Sequence, residues 1–325
     1  MSEFRYNKLT QHWILFAPNR AKRPTNLSNA DTSIYQDINS CPFEAGNESK
    51  TPNEVLRLGD EKSWRCRIVP NLYNALSIET DPKSYKTGNF ENKRGFGAHE
   101  VIIETPDHTK QMFDFTVDEF FDYFSIIHLR LKDLKKDIRI KYFSVFKNYG
   151  NNAGATIEHS HSQIIATPFI PKTTQKALQF YKHYKDDTER DFFDDLIVDE
   201  KNFKKGILFE NSSFIAYCPY ASRYPFEISI VATKELQSIL NFNDVDIYAL
   251  SELIHFCFSK LNLALGKPDF NMIIKNGDIQ SGINSNRFHI EILPRLYKTA
   301  GFEIDTDIMV NTFLPETAAK ILKES

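Results

Sequence analysis

The chain has 325 residues, of which 41% are hydrophobic and 26% are charged, and its formal net charge is −3. This composition is typical of a globular protein with one large or two ordinary cores, which excludes a disordered or fibrous chain. Because acidic and basic residues are interspersed, neither a nucleic-acid backbone nor an anionic membrane is indicated as partner, and a small-molecule site is the better expectation.

The N-terminal residues MSEFRYNKLTQHW have no apolar core of the signal-peptide type. No segment reaches the roughly 18 consecutive apolar residues that a transmembrane helix needs. The cysteines are few and widely spaced, which argues against a disulfide framework and for a reducing compartment; they are Cys41, Cys66, Cys218 and Cys257. We therefore expect a cytoplasmic protein.

The first segment of chemical interest is the basic stretch APNRAKRPTN, residues 17–26. Arg20 and Arg23 lie here between two prolines. A guanidinium group can bind phosphate through two parallel hydrogen bonds, so the pair is a candidate phosphate contact. A solvated basic turn is the alternative interpretation.

Next along the chain, CPFEAGNE at residues 41–48 contains possible metal ligands. Cys41 and Glu44 have the spacing of a zinc knuckle, with a carboxylate in place of the second thiolate. His108 and His159 would complete a four-coordinate structural zinc site, in which carboxylate oxygen is an acceptable ligand. The pattern is not specific, because a cysteine and a glutamate in a loop often bind nothing.

The segment EHSHSQIIATP places His159, His161 and Gln163 at alternate positions. In an extended strand such residues share a face, so we predict that the three side chains point towards one site. A histidine with its ordinary pKa of about 6.5 is mostly neutral at pH 7, and neutral imidazole is a good nucleophile towards phosphorus. Attack would split one displacement into two through a covalent intermediate.

The preceding loop, NYGNNAGAT at residues 148–156, is rich in glycine and asparagine. Its backbone N–H groups can approach phosphate oxygens closely, and the Thr156 hydroxyl and the Gln163 amide can add neutral donors. Since phosphoryl transfer depends mainly on positioning and charge stabilisation, this is a plausible assembly. The alternative is an ordinary turn followed by a surface histidine.

The predicted elements occur twice in the same order, with an offset of about 128 residues. Each copy has a β-rich run, an amphipathic helix with an acidic start, a strand ending in a Gly/Asn turn, and a histidine-containing strand. His161 aligns with His289, and Gln163 aligns with Glu291, whereas Arg287 stands in the place of His159. An internal duplication explains this order. His161 therefore belongs to the repeated unit, and His159 needs its own explanation.

The order strand, helix, strand, turn, strand in each unit predicts an α+β fold, an antiparallel sheet with helices packed to one side. We expect the first unit at residues 1–171, a connecting segment at 172–203 and the second unit at 204–325. The two half-sheets can join into one larger sheet.

Taken in order, seven motifs resemble the galactose-1-phosphate uridylyltransferase family, the duplicated branch of the histidine-triad superfamily. They are NRAKRP, CPFEAGNE, RCRIVPNLYNAL, TPDHTK, FKNYGNNAGATIEHSHSQIIATP, YPFEISIV and FHIEILPRLYKTAGFEI. The resemblance covers nearly the whole chain. It implies histidine-triad-like half-units, a homodimer, and nucleotidyl transfer through a covalent nucleotidyl-histidine.

Matched residue by residue, the resemblance implies that His161 is the nucleophile and that His159 is a zinc ligand. The other zinc positions fall on Cys41, Glu44 and His108, and family members commonly have cysteine where this chain has Glu44. Phosphate and nucleotide contacts fall on Arg20, Arg23, Asn71, Asn148, Thr156 and Gln163. The sugar-contacting end of the family falls on Glu303, in AGFEI.

Some family members hold a second, iron-type metal at the C-terminal strand. Only one histidine of that region remains in this chain, His289, with Arg287 and Glu291 as neighbours. We therefore expect no iron-type site.

The resemblance leaves the substrate open. Its simplest implication is a UDP-glucose:hexose-1-phosphate uridylyltransferase of galactose metabolism. The motifs GFGAHEVIIETP, HSHSQ and AGFEI also resemble the ADP-glucose phosphorylase branch, which passes the nucleotidyl group to inorganic phosphate, and a dinucleoside polyphosphate phosphorylase would use the same histidine. A non-catalytic nucleotide-binding protein is a third reading, disfavoured because the candidate site residues are all present.

Overall fold

The structure is a computed structural model, and it describes residues 2–22, 38–276 and 286–325. Its β-strands are β1 Glu3–Asn7, β2 His12–Phe16, β3 Leu56–Asp60, β4 Ser63–Pro70, β5 Ser84–Thr87, β6 Phe90–Lys93, β7 Ala98–Ile103, β8 Tyr142–Tyr149, β9 His161–Thr167, β10 Ile207–Glu210, β11 Phe214–Tyr217, β12 Ile228–Ala232, β13 Phe270–Lys275, β14 His289–Pro294 and β15 Met309–Asn311. Its α-helices are α1 Val117–Leu134, α2 Lys172–Thr188, α3 Phe192–Phe203, α4 Asp244–Leu265, α5 Gly301–Thr306 and α6 Pro315–Glu324.

One large antiparallel sheet dominates the described part of the chain. Its ten strands run in the order β10-β11-β12-β14-β13-β8-β9-β7-β4-β3. The strands on the β8 side precede the connecting segment in sequence, and those on the β13 side follow it. The predicted α+β class with an antiparallel sheet is confirmed.

The two halves of the sheet meet where β8 pairs with β13, a contact that we call the seam (Tyr142–Tyr149 with Phe270–Lys275). Here Val145 pairs with Ile274 and Phe146 pairs with Ile273. Under the repeat offset of 128, Val145 corresponds to Ile273 and Phe146 corresponds to Ile274. Exchanging the halves therefore turns each pair into the other, so the seam has approximate twofold symmetry.

Helices α1 and α4 cover one face of the sheet. Each begins with a capping box, in which an N-cap side chain and the third helical residue exchange hydrogen bonds: Thr116 with Glu119, and Asn243 with Asp246. The alternate apolar residues of the central strands form one buried core with these helices; they include Ile102, Val145, Ile164, Ile274 and Ile290.

The opposite face, which we call the distal face, is covered differently in the two halves. Over the second half, α2 and α3 place Tyr181, Phe192 and Phe193 in a buried cluster with the strand residues Ile215 and Val231. The connecting segment predicted at 172–203 therefore contains two helices. In the first half, the distal-face residues Val101 and Ile103 pack instead against the loop residues Cys41 and Phe43.

The two ends of the described chain meet in a small second sheet. Its strand order is β1-β2-β15, with β15 parallel to β2. Arg5 of β1 lies 3.0 Å from the Glu316 carboxylate of α6, which ties the N-terminal strand to the C-terminal helix. Among the described residues, no helix has the length and apolar character needed to cross a membrane. All four cysteines are buried free thiols.

Candidate functional site

Strand β9 begins at His161, so that of the two histidines in EHSHSQIIATP only the second belongs to the strand. His161 and Gln163 lie on the distal face, because Ser162 and Ile164 between and beside them face the helices. His159 precedes the strand. The side chains of His161 and Gln163 therefore share one strand face, and the His159 ring, before the strand, lies in a cluster with Cys41 and His108 while Phe43 contacts both histidine rings.

The His161 ring is held in one orientation by its own backbone. Its Nδ1 lies 2.8 Å from the His159 carbonyl oxygen. Because a carbonyl can only accept, Nδ1 carries the proton and Nε2 keeps its lone pair. Burial lowers the pKa of His161, with a smaller contribution from the positive charge of Lys147. The ring is therefore a neutral imidazole with a free nitrogen, the form that can attack phosphorus.

A buried polar network lies beneath His161, on the side of β9 that faces α1. Lys147 Nζ donates to Glu104 Oε2 at 2.7 Å and to the His161 carbonyl oxygen at 3.1 Å. Ser160 donates to Glu104 Oε2 at 2.6 Å, and Ser162 also hydrogen-bonds that carboxylate. These bonds fix the backbone on both sides of His161. Lys147 and Lys275 are 128 residues apart, which is the offset of the repeat, but the sequence alone did not indicate a role for Lys147.

A second cluster brings together Cys41, His108 and His159, whose donor atoms all lie within 4.8 Å of one another. The two histidine Nδ1 atoms are 3.3 Å apart. Glu44 Oε2 lies 3.4 Å from His108 Nδ1 and 3.6 Å from His159 Nδ1. Ligands about 2.0–2.1 Å from a tetrahedral zinc ion stand roughly 3.4 Å from one another. The spacing of the two histidine nitrogens and the Glu44 oxygen fits such an ion.

The surroundings of this cluster also fit a cation. His159 Nε2 donates to the Thr105 carbonyl oxygen at 2.7 Å, so Nδ1 presents its lone pair to the cluster. Burial lowers the pKa of His159 to about 4, which keeps the ring neutral. Glu44 Oε2 is buried and has no hydrogen-bond partner in the described structure. A bound metal ion would satisfy this otherwise unpaired oxygen.

The loop that carries Cys41 and Glu44 is pinned from both sides. Asn47 Nδ2 donates to the Cys41 carbonyl oxygen at 2.8 Å. Glu48 Oε1 accepts from Trp64 Nε1 at 2.8 Å, which anchors the loop to strand β4. The possible ligands are therefore supplied by a fixed loop.

The three predicted phosphate-contacting amides have neighbours that sequence reasoning missed. Gln163 Oε1 lies 2.8 Å from His99 Nε2, and Asn71 Nδ2 lies 3.1 Å from the same nitrogen. Asn148 Oδ1 accepts from Asn271 Nδ2 at 2.8 Å across the seam. In the sequence, His99 is only the second residue of the β-rich run AHEVIIETP, and nothing there indicates a contact with Gln163. Asn271 can be recognised as a partner of Asn148 only once β13 is known to pair with β8.

The structure does not join the remaining predicted contacts to the clusters. Arg20 is exposed in a short 3-10 turn, and Thr156 is exposed in the loop before β9. Glu303 accepts from Ala300 N at 3.2 Å and so caps its own helix, α5. Among the described residues, no hydrogen bond links these three side chains to His161 or Gln163. Arg23 lies outside the described residues.

The counterpart of His161 in the second half is enclosed. His289 Nδ1 lies 2.9 Å from the Arg287 carbonyl oxygen, and the Phe193 ring of α3 lies 5.8 Å from the His289 ring. Arg287 forms ion pairs with two acidic residues of the α3 start, Asp191 at 3.1 Å and Asp194 at 2.5 Å. The position equivalent to His161 thus packs against α3 in the second half, whereas His161 itself packs against the loop residue Phe43, with ring centroids 5.3 Å apart.

Comparisons with known proteins show what the whole chain is similar to. The family described as galactose-1-phosphate uridyl transferase, N-terminal domain, matches residues 1–171, and a domain of unknown function, DUF4921, matches residues 95–324. ADP-glucose phosphorylase of Arabidopsis thaliana is 32% identical over 99% of this chain and 92% of its own length. Galactose-1-phosphate uridylyltransferase of Thermotoga maritima is 24% identical over 100% of this chain and 99% of its own. The crystal structure of the Arabidopsis ADP-glucose phosphorylase with bound ADP-glucose superposes with a TM-score of 0.86, at 31% identity, over 100% of this chain and 99% of that one.

Proposed function

Because this chain belongs to the galactose-1-phosphate uridylyltransferase family, whose characterised relatives are enzymes, we propose that it is a nucleotidyltransferase that acts on an NDP-sugar with His161 as nucleophile. The observation that carries the proposal is the hydrogen bond from His161 Nδ1 to the His159 carbonyl oxygen. It leaves Nε2 unprotonated on a histidine of the distal face. No change of tautomer is needed before attack.

In the proposed first step, His161 Nε2 attacks the α-phosphorus of the NDP-sugar. A bond forms between nitrogen and phosphorus, and the bond from the α-phosphorus to the bridging oxygen breaks, so that sugar 1-phosphate leaves with the electron pair. In the second step an acceptor oxygen attacks the same phosphorus, and the nitrogen–phosphorus bond breaks. The nucleotidyl group is then on the acceptor, and His161 is regenerated.

The proposed roles of the other residues follow from the need to stabilise charge on the transferred phosphate. Gln163, Asn148 and Thr156 would supply neutral hydrogen-bond donors. Arg20, Arg23 and Asn71 would bind the rest of the nucleotide, and Glu303 would contact the sugar.

For the acceptor, we propose inorganic phosphate, so that ADP-glucose and phosphate give ADP and glucose 1-phosphate. The support is the 32% identity to ADP-glucose phosphorylase, against 24% to the Thermotoga uridylyltransferase. This reverses the order expected from the motifs alone. Uridylyl transfer from UDP-glucose to a hexose 1-phosphate is the second candidate, because the matched N-terminal family carries that activity in its name.

We propose that Cys41, Glu44, His108 and His159 hold a structural zinc ion. Its contribution would be to tie the residues before β9 to the fixed loop 41–48, rather than to take part in the transfer. This would hold the His159 carbonyl oxygen, which accepts the His161 proton, in place. The grouping of the Cys41, His108 and His159 donor atoms and the unpaired Glu44 oxygen near both histidines support the assignment.

We further propose a cytoplasmic homodimer in which residues 1–171 and 204–325 are the two repeated units, joined by 172–203. Four buried free thiols fit a reducing compartment. The expected substrates are small nucleotide sugars and phosphates.

The deciding experiment is to incubate the protein with ADP-glucose or UDP-glucose and to measure its intact mass. We expect an adduct of one AMP that is absent in His161→Ala and that is released as ADP by inorganic phosphate. An adduct of one UMP that is released by galactose 1-phosphate would establish the second candidate. If no nucleotide forms an adduct under any condition, the covalent mechanism is wrong.

A further inference from the structure

Three carboxamide side chains of the candidate site, those of Gln163, Asn148 and Asn71, each have their oxygen occupied by a donor whose identity is fixed. We propose that His99 and Asn271 are positioning residues, which lock Gln163 and Asn148 with their amide nitrogens towards the transferred phosphate. The inference rests on the proposed function, since it concerns how the same site binds the phosphate.

The orientation of Gln163 follows from a backbone group. The Ala75 N–H donates to His99 Nδ1 at 3.0 Å. A backbone N–H can only donate, so Nδ1 is unprotonated and the neutral ring carries its proton on Nε2. That nitrogen lies 2.8 Å from Gln163 and donates to it, so the facing atom must be Oε1. The Gln163 amide nitrogen therefore points away from His99.

The orientation of Asn148 follows in the same way from the other half of the sheet. Asn271 Nδ2 donates to the Ala153 carbonyl oxygen at 2.9 Å, which can only accept. The second hydrogen of that nitrogen is directed to Asn148 at 2.8 Å, so the Asn148 atom there must be Oδ1. Asn271 is the direct pairing partner of Asn148 across the seam.

Asn71 completes the set. Its Oδ1 accepts from the Tyr73 N–H at 2.9 Å, so its nitrogen is the atom that lies 3.1 Å from His99 Nε2. Both of these nitrogens carry hydrogen, so the contact is not a hydrogen bond. The Asn71 amide hydrogens remain available for another acceptor.

The locked amides are placed on both sides of the proposed nucleophile. Gln163 lies two residues along β9 from His161 and on the same face. Phe146 of β8 pairs with Gln163, so Asn148, two residues further along β8, stands beside His161. Among the described residues, neither the Gln163 nor the Asn148 amide nitrogen donates to a protein acceptor. Both are free to bind an oxyanion.

The lock matters because a transferred phosphate offers only acceptor oxygens. A freely rotating carboxamide presents its oxygen as readily as its nitrogen, and the wrong orientation replaces a hydrogen bond with repulsion between two oxygens. Preorganised donors contribute most when they need no rearrangement during the reaction. His99 and Asn271 would supply this preorganisation without touching the substrate.

The test is a double-mutant cycle on the rate of nucleotidyl-adduct formation, with His99→Phe, Gln163→Ala and the combination. His99→Phe keeps an aromatic ring but removes the N–H that donates to Gln163. We expect adduct formation to slow about tenfold, which is less than the 10²–10³-fold loss that follows when a donor to the transition state is deleted outright. In the Gln163→Ala background, the same change should slow it less than twofold. His99→Gln, which can still donate to Gln163, should recover part of the rate.

Equal effects of His99→Phe in both backgrounds would overturn the inference for His99. The matched cycle for the other half uses Asn271→Leu with Asn148→Ala, and additive losses there would overturn it for Asn271. If wild-type protein forms no adduct at all, the proposed function fails instead. A further measurement needs no variant: ¹⁵N NMR of the His99 ring should show the proton on Nε2, and a proton on Nδ1 would disprove the lock.

Discussion

His161 and His289 make the same hydrogen bond in the two halves of the sheet. Each donates its Nδ1 proton to the carbonyl oxygen two residues earlier, at 2.8 Å to His159 and at 2.9 Å to Arg287. The hydrogen bond that fixes the orientation of the histidine ring is therefore present in both halves. What differs is the neighbouring residues: Phe193 of α3 lies 5.8 Å from the His289 ring, whereas Phe43 of a loop lies 5.3 Å from the His161 ring, and Glu291 stands two residues after His289 where Gln163 follows His161.

This difference predicts that only one of the two histidines forms a nucleotidyl adduct. His161→Asn should abolish the adduct, and His289→Asn, the same change at the counterpart, should form it at a rate within about threefold of wild type. The physical reason is charge, because the neutral Gln163 follows two residues after His161, whereas the buried Glu291 follows two residues after His289 and its carboxylate would repel a phosphate. The measurement is intact mass after a timed incubation with ADP-glucose. An adduct that survives in His161→Asn and disappears in His289→Asn would contradict the assignment.

Metal analysis tests the four-ligand cluster. We expect about one zinc ion per chain, and its loss in His108→Asn. Removal of one ligand should weaken binding by at least the 10–100-fold that is typical for a lost outer-shell partner, measured by competition with a chelator. Since a ligand bound only to the folded state stabilises it, chelation should also lower the melting temperature.

The matched control for this prediction is His12→Asn, the same substitution at a histidine whose side chain is 48% exposed. It should retain the metal. Equal zinc content in wild type and His108→Asn would exclude the proposed site.

The buried pair of Lys147 and Glu104 makes a prediction about stability. Their side chains are 2% and 0% exposed, and their charged atoms lie 2.7 Å apart. Lys147→Met leaves the carboxylate without its countercharge and should lower the free energy of unfolding by about 3–5 kcal/mol. Adding Glu104→Gln to that variant should restore part of the loss. Urea denaturation measures both.

For comparison, Lys320→Met removes a lysine whose side chain is 71% exposed and should change stability by less than about 0.5 kcal/mol. A loss for Lys147→Met no larger than that of this control would show that the buried pair does not stabilise the fold.

Glu200 predicts a pH-dependent loss of stability. Burial raises the pKa of Glu200 from 4.5 to about 7, although the Tyr220 N–H opposes this. Between these values the folded state binds the proton more tightly than the unfolded state, so the free energy of unfolding falls as pH rises from about 4.5 to 7. Glu200→Gln removes this loss and should stabilise the protein by roughly 1–3 kcal/mol at pH 8, but little at pH 5.

The measurement is the melting temperature of wild type and Glu200→Gln across this pH range. Glu252→Gln, at an exposed position, should show no such pH-dependent gain. A Glu200→Gln variant that gains as much at pH 5 as at pH 8 would contradict the role of the carboxyl charge.

The sequence was sufficient for features that depend on local pattern. Alternation along EHSHSQIIATP predicted that His161 and Gln163 share a face, and the repeat predicted which histidine belongs to the unit. His99 could not be found in this way, because its contact with Gln163 requires that β7 lies beside β9, a pairing of residues 64 apart in sequence. The contact of Asn271 with Asn148 requires that β13 pairs with β8 at the seam, and these two residues are 123 apart in sequence.

Two other differences have local causes. Strand β9 starts only at His161, so that His159 lies before it and its ring joins the cluster with Cys41 and His108, which the strand pattern alone did not show. The helices α2 and α3 were not predicted because their polar residues outnumber the apolar ones that face the sheet. Phe192 and Phe193 can be recognised as buried residues only once the position of the second half-sheet, against which they pack, is known.

The symmetry of the seam has a consequence for how such a chain is organised. A register that maps onto itself when the halves are exchanged is the geometry of an isologous interface, in which two identical subunits meet through the same edge. This single polypeptide is thus built like a dimer whose subunits are joined end to end. Once the subunits are joined, they no longer need to be equal. In the second half the helix α3 packs against His289, and Asn271 of that half hydrogen-bonds Asn148 of the first half across the seam.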